Sequence, residues 1–170
     1  MFRQFSIHDE DCNWLLIVWR DLLSGEPIFG TLKTVTYGES PAPFQAGASL
    51  LQLADDGAKM FSRGSHAIRK KRYKDDFYLG EDTMQELIVT RDELMHLLST
   101  AGMAVGKLAA NHAEALQDIH GSHIQQKITV IQDEEVVSTL GLRWNAIADE
   151  FCFKIAKVPV DFQITKRTML

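Results

Sequence analysis

From Trp14 to Trp19 the chain reads WLLIVW, an apolar run without a single break. A run this short cannot cross a bilayer, which takes about 20 residues of helix. It also lacks the basic flank and cleavage site of a signal peptide. The remaining solution is a buried β-strand within NWLLIVWR, ended by the polar and Gly/Pro signals of DLLSGEP. IFGTLKTVTYG, residues 28–38, predicts a second strand, and the two suit a hairpin. A length of 170 residues with 45% hydrophobic content then suits one globular domain with a real core.

The rest of the chain mixes helix and strand. ESPAPFQAGASLLQLADDGAKMF, residues 39–61, predicts a helix with Pro41 and Pro43 in the approach and first turn. Phe44, Ala48, Leu51 and Ala54 fall on one face at helical spacing and are the expected buried stripe. SRGSHAIRKKR follows as a polar, basic segment with no element assigned. Thr83-Met84-Gln85-Glu86 matches a capping box, in which hydroxyl and carboxylate satisfy opposite backbone donors. Met84, Leu87, Ile88, Leu94, Leu97 and Leu98 continue it as a helix, and Gly102 stops it. AVGKLAAN, KITVI, VVSTLGLRW and EFCFKI predict strands, with a turn over Asn145–Asp149 between the last two. Strands and helices intermixed, with antiparallel neighbours, define an α+β class.

Charge and ligand-bearing residues exclude some functions. The net charge is −5, whereas a chain that grips nucleic acid along its length is usually basic. Cys12 and Cys152 have no metal-type spacing and predict buried thiols in a reducing, intracellular setting. His120 and His123 lie close together, but no second pair completes a zinc site. The basic run Arg69-Lys70-Lys71-Arg72 suits a solvated face; a nuclear-localisation patch or a phosphate contact is the alternative.

The chemistry concentrates in RYKDDFYLG, residues 72–80, where Asp75 and Asp76 stand side by side among aromatic residues. If RYKD and DFYL are short strands, the two acids occupy the tip of a tight hairpin. Alternation then turns one carboxylate to the sheet's working surface and the other to its margin. A solvated turn is the common fate of such a pair. The other reading is a hard divalent cation, which takes carboxylate oxygens and keeps several waters.

YKDD resembles the Tyr-X-Asp-Asp box of reverse transcriptases. DDFYLGEDTMQELIVTRDELMHLLSTAGMAVGKLAAN, residues 75–111, resembles the matching region of BEL/Pao-type retrotransposon polymerases, where an Asp-Asp hairpin leads through a Gly-x-Asp-Thr turn into a helix carrying RDEL. MFRQFSIHDED resembles the segment just after that family's first catalytic motif. TVTYGESPAPFQA is similar to its loop and helix beneath the incoming nucleotide. TLGLRWN and FCFKI resemble its primer-grip hairpin, and ITKRTML the start of the next helix. The likeness covers essentially the whole chain, with the motifs in order.

The resemblance implies an α+β, palm-like fold of the split βαβ (ferredoxin-like) kind, with helices on one face of the sheet. It implies one truncated domain over 1–170, with a fingers remnant in 12–36, palm in 1–11 and 37–137, and primer grip with the start of the next element in 138–170. The implied activity is RNA-directed DNA synthesis by two-metal nucleotidyl transfer. Asp75 would ligate Mg²⁺ with Asp76 beside it, and Lys107 would sit near the leaving pyrophosphate as a charge partner or proton donor. Tyr37, Gly38, Ser40, Pro41 and Phe44 would floor the nucleotide site. Tyr73, Leu140, Gly141, Leu142, Arg143 and Trp144 would meet the primer and template. By residue type alone, Lys107 equally suits a solvated strand end, Gly38 a plain turn, and Tyr73 and Trp144 ordinary strand aromatics.

Departures from the family pattern shape the expectation. The first motif's Asp would precede Met1, and Asp9, Glu10 and Asp11 come too late to replace it. Lys74 fills a position the family usually gives to an apolar residue, where its ammonium could pair with Asp75 or Asp76. Thumb, connection and ribonuclease H regions would lie beyond Leu170, and with them most of the basic clamp. The expectation is therefore a polymerase fragment, inactive as the isolated chain, with Mg²⁺ weak or absent. Its partners would be an RNA/DNA template-primer and another copy of itself through exposed palm surface, with no membrane. The compartment would be the cytoplasm or nucleus. The alternative is a non-catalytic, retroelement-derived binding or scaffold domain.

Overall fold

A computed structural model describes residues 2–20, 25–119, 124–130, 136–139, 142–145 and 150–152. The fold is of mixed α and β type, and the chain divides into two units. One comprises Met1–Leu108 with Gln117–Lys127, the other Ala109–Leu116 with Ile128–Leu170.

The first unit is built on three helices, α1 (Ala42–Asp56), α2 (Ser62–Lys70) and α3 (Met84–Thr100). Leu50, Ile68 and Leu97, one from each, are the large apolar side chains sealed between them. Each contributes roughly 1.5–3 kcal/mol by burial. Phe5 and Val35 join this core from two segments that run antiparallel: Val35 N–H donates to the Phe5 carbonyl (3.0 Å) and Ile7 N–H to the Lys33 carbonyl (2.9 Å).

α1 buries a different stripe from the one its large residues suggest. Ala42, Ala46, Leu50 and Ala54 face the core, whereas Phe44 is 77% exposed and Ala48 and Leu51 also lie outside. Ala54 alone was common to both stripes. Small side chains let α1 approach its neighbours closely, so a four-residue repeat of mostly alanine becomes the inner face. The helix also ends earlier than residue 61: it stops at Asp56, and Gly57 N–H closes the last turn on the Leu53 carbonyl at 3.0 Å.

α2 occupies the segment that carries no periodic signal of large apolar residues. Its buried face is Gly64, Ser65, Ala67 and Ile68. Phe61, at its N-cap, offers no side-chain acceptor. The acceptor comes from α3 instead: the Glu93 carboxylate takes Arg63 N–H at 2.7 Å and Gly64 N–H at 3.1 Å. A negative charge on otherwise unpaired N-terminal donors is doubly favourable. Ser65 Oγ is buried with no hydrogen-bond partner among the described residues. Ser65→Ala is therefore expected to leave stability unchanged or raise it by about 1 kcal/mol in urea unfolding.

α3 follows its sequence signals. Thr83 caps it by accepting Glu86 N–H (3.3 Å), its hydroxyl also bonds the Glu86 carboxylate (3.0 Å), and Gly102 leaves it with φ 70°. Leu94, Leu97 and Leu98 are buried, with Met84, Leu87 and Ile88 half-buried.

β1 (Leu16–Arg20) and β2 (Pro27–Thr31) form the expected antiparallel hairpin, with Val18 opposite Phe29. The expectation of a buried strand is corrected here: every β1 residue is exposed, and among the described residues no third strand joins the ribbon. β3 (Arg72–Tyr73) and β4 (Asp76–Phe77) make a second, very short hairpin. β5 (Val105–Ala110) pairs with β6 (Ile124–Val130).

In the second unit, β7 (Val136–Thr139), β8 (Leu142–Asn145) and β9 (Glu150–Cys152) form an antiparallel sheet in that order. VVSTLGLRW is thus not one strand but two, with Thr139 facing Leu142. Among the described residues no helix is long and apolar enough to cross a membrane.

Candidate functional site

The Asp75–Asp76 pair sits on the hairpin that links α2 to α3. Tyr73 faces Asp76 across the ribbon and Arg72 faces Phe77, leaving Lys74 and Asp75 as a two-residue turn. Strand alternation then sorts the side chains. Phe77 and Leu79 pack against the core, while Asp76 and Tyr78 take the opposite face. The Tyr78 hydroxyl donates to Asp76 Oδ2 at 3.5 Å. Both carboxylates are exposed.

The hairpin is mounted from both ends. Arg72 donates to the Ile68 carbonyl at the end of α2 (3.4 Å) and to the Lys74 carbonyl in the turn (2.9 Å). Lys71 donates to the Gly80 carbonyl and to Glu81 Oε1, both at 2.7 Å, and Thr90 on α3 donates to the same Glu81 oxygen at 2.9 Å. Arg69 pairs with Asp55 of α1. Of the four basic residues, Arg69, Lys71 and Arg72 thus serve internal contacts more than a solvated face.

The Lys71–Glu81–Thr90 latch has a pH signature. The hydrogen bond from Lys71, then that from Thr90, holds Glu81 below its ordinary value of 4.5. A carboxyl whose pKa falls on folding stabilises the fold fully above its unfolded value, and that contribution is lost as pH drops through the folded value. Urea midpoints measured between about pH 5 and pH 3 should fall less steeply for Glu81→Gln than for the parent chain.

Lys74 carries the local strain. Its φ is 55°, the left-handed region that primed hairpin turns require at their first position. Its ammonium lies 5.6 Å from the Tyr73 ring centroid, and among the described residues the pairing with Asp75 or Asp76 that its position suggested is not formed. Lys74→Gly is expected to raise stability by about 1 kcal/mol, because glycine adopts this φ without a Cβ clash. Thermal or urea unfolding checks it.

The nucleotide-floor residues lie before and at the start of α1. Tyr37 is exposed and meets the Phe2 ring edge-on, with centroids 4.9 Å apart. Gly38 has φ 93°, a conformation for which glycine is suited. Ser40 is exposed, Pro41 stands at the N-cap of α1, and Phe44 projects from its first turns. Phe2 is an addition that sequence reading missed; its only signal was its place in MFRQ. Gln4 donates to the Ala104 carbonyl (3.3 Å), which sets the N-terminal turn beside the entry to β5 and its exposed Lys107.

Of the primer-grip residues, Leu140 and Gly141 lie outside the described residues, as do His120 and His123. Leu142, Arg143 and Trp144 are in β8, paired with β7, and Trp144 is half-buried. A cleft of about 520 Å³ opens elsewhere in the first unit, bordered by Ile7, His8, Asp11, Trp14, Glu39 and Pro41. Of the site residues, only Pro41 lines it.

The two aspartates offer oxygen donors alone, a set that fits a hard cation such as Mg²⁺, which keeps waters and recruits substrate oxygens. Among the described residues, no three His, Cys, Asp or Glu side chains gather to hold a metal. Comparison with protein-family models, with curated proteins and with solved structures finds no match.

Proposed function

We propose that this chain is palm region from a BEL/Pao-type reverse transcriptase, contributing to RNA-directed DNA synthesis in a larger assembly. The observation that carries the reading is the hairpin itself. Tyr73 and Asp76 pair across two short strands with Lys74 and Asp75 as the turn between them, both carboxylates are in the open, and the base is latched to helices on either side. A solvated turn does not need the mount of Lys71, Glu81 and Thr90 at its base. Positioned acids on rigid supports are what metal-assisted phosphoryl transfer needs.

In this reading Asp75 would ligate Mg²⁺ at the growing nucleic-acid end with Asp76 beside it, and the ion would supply charge neutralisation for the transferred phosphate. Tyr73, opposite Asp76, presents a ring to the primer terminus. Tyr37, buttressed by Phe2, and the Ser40–Phe44 approach to α1 form the floor beneath a nucleotide. Lys107, exposed on β5, neutralises the departing pyrophosphate. Leu140–Trp144 guides the primer strand. Palm-like topology, with a fingers contribution from the β1–β2 hairpin, is part of the same proposal.

Two carboxylates do not clamp two ions, so residues 1–170 alone are expected to be inactive. The test is a chimera in which residues 1–170 replace the corresponding region of an active BEL/Pao-type polymerase. Mg²⁺-dependent primer extension on an RNA template by the chimera, with none from the isolated chain, supports the proposal. A folded chimera that binds template-primer but extends nothing would overturn it.

A further inference from the structure

We infer that Lys71, Glu81 and Thr90 are positioning residues for the two aspartates: the latch they form fixes the angle at which the β3–β4 hairpin presents Asp75 and Asp76 to a divalent cation. The inference rests on the metal reading of those acids proposed above. β3 and β4 contribute two facing pairs, Arg72 with Phe77 and Tyr73 with Asp76. An isolated two-stranded ribbon is marginal in water, so two pairs do not hold the tip in one orientation by themselves.

The hold comes from the base. One leg of the hairpin leaves α2 at Lys71, and the other returns through Gly80 and Glu81. Backbone pairing runs one step past the strands, where Tyr78 N–H donates to the Lys71 carbonyl at 2.8 Å. Beyond that step the Lys71 ammonium crosses from leg to leg, donating to the Gly80 carbonyl and to Glu81 Oε1 at 2.7 Å each. The Thr90 hydroxyl, midway along α3, reaches the same Glu81 oxygen at 2.9 Å. Glu81 is thus the joint of three segments: the end of α2, the returning leg and α3.

This joint has the character of a fixed one. An ion pair in open water holds little. Here the Lys71 and Glu81 side chains are each only 21% exposed, and Thr90 is sealed at 1%. If the Glu81 carboxylate swung away, the buried Thr90 hydroxyl would lose its acceptor, which is costly away from water. Arg63 of α2 adds a favourable charge to the ionised carboxylate. The three residues therefore act on the aspartates through the hairpin's orientation, as supports behind a metal site do.

The test titrates Mn²⁺ into the isolated chain and reads its affinity from the broadening of the Asp75 and Asp76 amide resonances. Thr90→Val removes the hydroxyl at nearly constant shape and at constant charge, and should weaken Mn²⁺ binding about tenfold. Thr90→Ser keeps the hydroxyl and should bind as the parent does. Lys71→Met separates positioning from plain electrostatics. Deleting a positive charge near a cation site strengthens binding by Coulomb attraction alone; loss of the latch weakens it, and about tenfold weaker binding is the expected result. Circular dichroism checks that each variant is folded, and the partly exposed Lys71 serves if the sealed Thr90 tolerates no change. Mn²⁺ bound as tightly by Thr90→Val as by the parent, or more tightly by Lys71→Met, would overturn the inference and leave the metal reading standing. A parent chain that takes no Mn²⁺ at Asp75 and Asp76 would overturn both.

Discussion

Asp75→Asn, made in the active chimera, is expected to lower Mg²⁺-dependent primer extension by about a thousandfold or more. Removing a single fixed charge partner of a developing transition state commonly costs two to three orders of magnitude. Losing a ligand of the ion itself should cost at least as much. Asparagine is a sound choice because it matches aspartate in shape and is well tolerated in turns. Asp75 is exposed and sits in the two-residue connection between β3 and β4, so the fold loses little. Unchanged melting with lost extension would assign the loss to charge. Asp76→Asn should reduce extension less, since Asp76 flanks the ligand in this reading. Equal activity of parent and Asp75→Asn would remove this aspartate from the chemistry.

Gly64→Ala is expected to destabilise the chain by about 3 kcal/mol in urea unfolding. A Cβ at this position would lie 2.7 Å from the Glu93 carbonyl carbon and 2.8 Å from both the Glu93 oxygen and Leu94 nitrogen. These are backbone atoms of α3, which cannot rotate aside as a side-chain tip can. Alanine's better helix propensity works in the other direction, by only about 1 kcal/mol. The clash also pushes α2 off the Glu93 carboxylate that caps it. Overpacking and a lost cap therefore act together, and they act on the helix that leads directly into the aspartate hairpin. If Gly64→Ala were as stable as the parent, α2 and α3 would not pack this closely.

The contrast between α3 and α2 shows what kind of information the sequence carries plainly. α3 has its cap in its own residues, Thr83 and Glu86, and its stop in Gly102. Everything needed to read it is local. α2 takes its cap from Glu93, 30 residues beyond Arg63, and buries glycine, serine and alanine in place of leucines. Neither feature is visible until the tertiary contact exists. α1 was legible as a helix but not in its orientation, because side-chain size pointed to Phe44 and Leu51 while close packing chose Ala42 and Ala46. β1 was legible as a strand, yet an apolar run says only that a strand wants covering, not what covers it.

The candidate site divides in the same way. The hairpin, its tip acids and the strand bearing Lys107 could be read from alternation and turn chemistry around residues 72–80 and 105–110. The left-handed Lys74 and the ring of Phe2 on Tyr37 could not, since one is a backbone angle and the other a contact across 35 residues. The Lys71–Glu81–Thr90 latch joins three segments that carry no shared motif.

Whether this hairpin holds a divalent cation is measured most directly by adding Mn²⁺, a paramagnetic stand-in for Mg²⁺, to the isolated chain and following its backbone amide resonances. Broadening centred on Asp75 and Asp76, reversed by excess Mg²⁺ and absent from the Asp75→Asn, Asp76→Asn double variant, is the predicted result. Broadening that leaves these two amides untouched while striking acidic residues elsewhere would contradict it.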